Sequence, residues 1–74
     1  MSRLPVVSGK EVIKALYKSG FVVVRQRGSH IRLRKQNQKT IKLTVPDHKA
    51  LKRKTLSRIL KVAEISVEEF KSLL

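Results

Sequence analysis

Two histidines and no cysteine define the proton and nucleophile chemistry open to this chain: His30 in Gly28-Ser29-His30 and His48 in Val45-Pro46-Asp47-His48. Imidazole is the side chain that both gives and takes a proton near neutrality, so these two are the candidates for general acid–base work. Around His30 stand Arg25, Arg27, Arg32 and Arg34, and Lys42 follows. Guanidinium and ammonium groups bind phosphate oxygens and offset charge that develops on them. Without cysteine there is no thiolate nucleophile and no Cys-based zinc site. Asp47 alone accompanies the histidine pair as a further ligand type, so a metal site is not expected. Ser29 is a poor nucleophile candidate. A reactive serine needs a base and an orienting third group, and adjacent strand residues point to opposite faces. It is assigned to shaping the turn.

Charge says what these groups act on. Lys and Arg total 18 against 5 acidic residues in 74, a net +13. Such an excess in a small domain points to a polyanionic partner, because each neutralised phosphate releases a condensed counterion. A second basic run holds Lys52, Arg53 and Lys54, with Arg58 and Lys61 beyond. One reading is a solvated charge run with its lysine stems on the surface. The favoured reading is a phosphate clamp without sequence readout, aided by amides at a helix N-terminus.

RNA suits this inventory because it carries its own nucleophile, the 2′-hydroxyl. Cleavage then needs no metal, cofactor or covalent intermediate. The protein must take the 2′ proton, protonate the leaving 5′ oxygen and offset charge on phosphorus. Proton transfer by a placed histidine contributes roughly 10²- to 10⁴-fold. His30 is the candidate for that role, with Arg32, Arg34 and Lys42 to hold the phosphate. His48 is either a second proton carrier or a structural residue of its Pro-Asp-His turn, and the structural role is favoured. The three aromatic residues, Tyr17, Phe21 and Phe70, do not make a base-stacking platform, since Tyr17 and Phe70 sit on apolar helical stripes expected in the core.

The elements that must position these groups are legible in the patterning. Ser8-Gly9-Lys10-Glu11 has the form of a capping box, and Val12, Ile13, Leu16 and Tyr17 follow at helical spacing until Gly20. A helix over 8–19 is expected. Phe21 to Gln26 is β-branched and aromatic, which suits a strand, and Arg27-Gly28 supplies a turn. In the next segment Ile31 and Leu33 alternate with His30, Arg32 and Arg34, so one face is apolar and the other basic. Residues 35–39 are expected as a hairpin loop. Ile41, Leu43 and Val45 alternate with Lys42 and Thr44 in a third strand that Pro46 stops. From about Thr55, Leu56, Ile59, Leu60 and Ala63 form a helical stripe. Ser66-Val67-Glu68-Glu69 has the form of a second capping box, opening a short last helix with Phe70, Leu73 and Leu74 as apolar contacts.

The expected architecture is α+β, a three-stranded antiparallel sheet with helices on one face and the order α-β-β-β-α plus a short C-terminal helix. The other sheet face is left to solvent. It would carry His30, Arg32, Arg34 and Lys42. Length sets an expectation of one domain over 1–74 with a small core. No apolar stretch is long enough to span a bilayer, and the N-terminal apolar stretch is too short for a signal peptide, so no membrane partner and a cytoplasmic location are expected.

Gly20-Phe21, Arg25-Gln26-Arg27-Gly28-Ser29-His30, Val45-Pro46-Asp47-His48 and Thr55-Leu56 with Ile59-Leu60, taken together, resemble the HicA (YcfA-like) mRNA interferase toxins. The resemblance covers residues 8–74. It implies a double-stranded-RNA-binding-domain-like fold, cleavage of mRNA, and a HicB-type antitoxin that masks the active site. It also implies that the histidine of Gly-Ser-His, here His30, is catalytic. The free toxin is expected to be a monomer, with Arg25, Arg27, Arg32, Arg34, Lys42, Lys52, Arg53 and Lys54 contacting RNA. One departure is Lys54, which stands where the family commonly has glycine before Thr-Leu and so bears on the local loop shape. The alternative function is a non-catalytic RNA-binding module of the same fold. A helix-turn-helix DNA binder fits poorly, because strands separate the first and second helices.

Overall fold

The computed structural model describes residues 3–74; Met1 and Ser2, the start of the domain expected over 1–74, lie outside the described residues. The element order is α1 (Gly9–Lys18), β1 (Val22–Arg27), β2 (His30–Gln36), β3 (Thr40–Pro46), α2 (Arg53–Ala63) and α3 (Val67–Leu73). The strands form one antiparallel sheet in the order β1-β2-β3, so β2 is central and flanked on both sides. This is the expected α+β, double-stranded-RNA-binding-domain-like layout.

Each helix has local causes. The Ser8 hydroxyl accepts from the Glu11 amide while the Glu11 carboxylate accepts from the Ser8 amide, which satisfies two donors that the first turn leaves free. At the other end Gly20 takes φ +104°, and its N–H donates to Tyr17 while that of Phe21 donates to Leu16. Those two bonds make a Schellman stop, closed by the buried pair Leu16 and Phe21. Helix α2 ends with the same bonds, from Glu64 to Lys61 and from Ile65 to Leu60, although Glu64 rather than glycine occupies the left-handed position. At α3 the Ser66 hydroxyl caps the Glu69 amide.

The apolar stripes meet in one core. Val12, Ala15 and Leu16 of α1, Leu56, Ile59, Leu60 and Ala63 of α2, and Phe70 of α3 pack with Phe21 and the sheet residues Ile31, Leu33, Leu43 and Val45. The helices therefore cover one sheet face. Burial of the sheet residues follows strict alternation along β2 and β3, as the sequence requires.

Several expectations are corrected. Tyr17 is 68% exposed rather than in the core; the buried stripe of α1 runs through Val12, Ala15 and Leu16, and Tyr17 lies a further 100° or so around the helix from Leu16. Leu74 is also exposed, because α3 ends at Leu73. The β2–β3 loop is shorter than 35–39. Lys35 and Gln36 still pair with Ile41 and Thr40, leaving Asn37, Gln38 and Lys39 as the turn. Helix α2 starts at Arg53 rather than near Thr55, so Lys54 lies inside a regular first turn where the loop shape had been in question.

Candidate functional site

The β1–β2 hairpin places His30. Arg27 pairs with His30 across a two-residue turn, Gly28-Ser29, with Gly28 at φ +59° and Ser29 in ordinary negative φ. Glycine first in such a turn meets the positive φ that lets a tight hairpin follow the sheet's twist. The Gln26 side-chain amide donates to the Gly28 carbonyl at 3.1 Å and braces the turn. The turn is also tied to the chain beyond β3, where the Asp47 amide donates to the Ser29 carbonyl at 2.7 Å. Ser29 thus serves through its backbone, as a turn residue.

His30 starts β2 on the solvent face, opposite Pro46 of β3, and Arg32 and Arg34 follow on the same face. Cross-strand partners share a face, so the register says what surrounds them. Arg27 stands beside His30, Arg25 and Thr44 flank Arg32, and Lys42 flanks Arg34. Arg25, Arg27, His30, Arg32 and Thr44 line a shallow depression of about 180 Å³. No carboxylate lines it.

Arg25 reaches this face only through an irregularity in β1. Val22 pairs with Arg34 and Val23 with Leu33, but Arg25, not Val24, pairs with Arg32. Val24 is the extra residue of a β-bulge. In a regular ladder Arg25 would stand opposite Ile31 and point with it toward the core. The bulge shifts the phase by one, and Arg25 joins the basic face. Bulges re-aim side chains in this way beside functional sites.

The structure brings Arg25, Arg27, His30, Arg32, Arg34 and Lys42 onto one open face. It does not bring Lys52, Arg53 and Lys54 there. Those three are exposed at the N-terminal end of α2, in the helical layer beneath the sheet. Arg53, Lys54, Arg58 and Lys61 line a separate surface with Leu4 and Val67. His48 is exposed in the loop after β3; its carbonyl accepts from the Gly9 amide and its own amide donates to Pro46, both at 2.9 Å. Its backbone thus docks α1 against the end of β3. Among the described residues no group of three His, Cys, Asp or Glu side chains is placed to hold a metal ion.

Sequence reasoning missed two participants. Thr44 was read only as a polar strand residue, yet its place opposite Arg32 puts it in the depression; strand alternation was the available signal. Gly9 is buried, and a Cβ there would collide with the Pro46 carbonyl oxygen and crowd Asp47. Its position inside a helix gave no warning of that approach.

Among known families, the model described as "HicA toxin of bacterial toxin-antitoxin" matches residues 9–65. That span runs from the first residue of α1 through the end of α2 and includes the whole sheet. No curated protein and no solved structure matches the chain. No helix among the described residues is long and apolar enough to cross a membrane.

Proposed function

The chain belongs to the HicA toxin family of bacterial toxin–antitoxin systems, and from that premise we propose that it is an mRNA-cleaving endoribonuclease with His30 as its general acid–base. The observation that carries the reading is the seating of His30 on an open sheet face among Arg25, Arg27 and Arg32, with no carboxylate in the depression they share.

A bound strand presents its 2′-hydroxyl to the His30 imidazole. As the proton passes to nitrogen, the 2′ oxygen attacks phosphorus and the bond to the 5′ oxygen breaks; the 5′ oxygen takes a proton from the His30 imidazolium, directly or through water, leaving a 2′,3′-cyclic phosphate and a free 5′-hydroxyl. Arg27, paired with His30 across the hairpin, donates to the non-bridging oxygens, where negative charge grows in the transition state. Strand pairing holds its backbone beside His30 on the open face. His48 acts through its backbone, holding α1 against the end of β3, and need not carry a proton.

The natural partner in this reading is a HicB-type antitoxin that covers the basic face. Such a cover must be acidic, because it replaces phosphate over five cations and a histidine. The free toxin is a cytoplasmic monomer. The test is incubation of purified protein with mRNA in excess chelator. Cyclic-phosphate and 5′-hydroxyl ends support the reading, whereas intact RNA bound in a salt-sensitive complex supports a non-catalytic binding module.

A further inference from the structure

The cations on the open face stand in rows set by the strand register. Arg27 and His30 form the first row, Arg25, Arg32 and Thr44 the second, and Arg34 with Lys42 the third. We propose that these rows are a track for a single extended RNA strand, in which Arg25 and Arg32 hold the phosphate next to the one at His30, and Arg34 and Lys42 hold the phosphate after that. This rests on the RNA-cleaving reading and adds the register in which the strand is held.

Rows recur at every second residue of β2, an interval of about 6.6 to 6.8 Å. Successive phosphates of a nucleic acid are separated by as many covalent bonds as successive same-face Cα atoms of a β-strand. An extended sugar–phosphate backbone laid along β2 therefore meets a new row at each phosphate. In a stacked B-form duplex each strand advances only about 3.4 Å along the helix axis per phosphate and winds away from a straight series of rows. His30 lies at one end of the series, so the two further rows serve phosphates on one side of the cut bond. The β-bulge at Val24 completes the second row, since it is what turns Arg25 to this face. Val22 opposite Arg34 leaves the third row to Arg34 and Lys42 alone.

The proposal is tested by a substitution cycle between protein and RNA. An oligonucleotide that the protein cuts is prepared with a single uncharged methylphosphonate at each position in turn on both sides of the cut. The kcat/KM values are compared for the wild-type protein and for a variant carrying Arg34→Ala and Lys42→Ala. Both side chains face solvent, and circular dichroism checks that the variant is folded. Wild type is expected to lose roughly 10- to 100-fold from a neutral linkage two phosphates from the cut on one side. The variant is expected to be slowed by a similar factor on unmodified RNA and to show no further loss at that position. It keeps the wild-type sensitivity at the phosphate beside the cut. If variant and modification multiply their effects at every position, the register is wrong. If unmodified RNA is not cut by wild type, the cleavage reading fails by itself, and the same cycle is run on equilibrium binding. Loss of sensitivity to one neutralised phosphate in the variant then supports the track, and unchanged sensitivity overturns it.

Discussion

Leu33 and Arg32 are neighbours in β2 with opposite fates, and replacing each by alanine separates the fold from the site. Leu33 is fully buried among core residues from both layers, so Leu33→Ala removes its burial and leaves a cavity. Such truncations cost about 2–5 kcal/mol. A chain of this size holds roughly 4–11 kcal/mol in total, from about 0.05–0.15 kcal/mol per residue. The substitution therefore consumes a large share of stability and should lower Tm by about 8–40 °C, at about 4–8 °C per kcal/mol for a domain of this length. Arg32 is exposed on the other face and makes no ion pair among the described residues. Arg32→Ala should stay within about 0.5 kcal/mol of wild type. Its effect falls on RNA instead, weakening binding and reducing the log–log salt slope by about 0.7 for one lost phosphate on a single strand. Thermal denaturation and fluorescence anisotropy at several salt concentrations read the two outcomes. Comparable losses of Tm in both variants, or an unchanged salt slope for Arg32→Ala, would refute the assignment of faces.

Other substitutions probe how the site is held. Gly9→Ala should destabilise by about 1–3 kcal/mol through its collision with Pro46, and denaturant titration measures this. Ser8→Ala removes the cap of α1 and should cost about 1 kcal/mol, seen as an earlier midpoint in the same titration. Lys39→Ala breaks the surface pair with Glu64, where both side chains are more than half exposed, and should cost less than about 1 kcal/mol.

What could be read in advance follows physical periodicity. Ile31, Leu33, Leu43 and Val45 alternate with charged or polar residues, and a strand period of two leaves one solution for which face is buried. That alternation placed His30, Arg32, Arg34 and Lys42 together. The capping-box sequences at Ser8 and Ser66 announced helix starts in the same local way, although at the second the Ser66 amide donates no reciprocal bond to the Glu69 carboxylate. The bulge was invisible, because Val22, Val23 and Val24 are identical and carry no alternation from which a phase shift could be seen. Tyr17 was misplaced because a ten-residue helix shared among β1, β3 and α3 buries only a narrow stripe. Gly9 and Pro46 meet through tertiary packing between segments far apart in sequence, and no local pattern encodes that contact. The separation of Lys52, Arg53 and Lys54 from the sheet face has the same origin. Charge runs reveal a partner's sign, but only the packing of α2 beneath the sheet decides which surface they occupy.

The most direct measurement is cleavage of a defined RNA by wild-type and His30→Ala proteins, alongside an RNA with one 2′-deoxy sugar at the cut site. His30→Ala is expected to remain folded and bind RNA without cutting it, and the deoxy linkage to survive the wild-type protein. Full cleavage by His30→Ala, or ordinary cutting at the deoxy linkage, would contradict the proposed reaction.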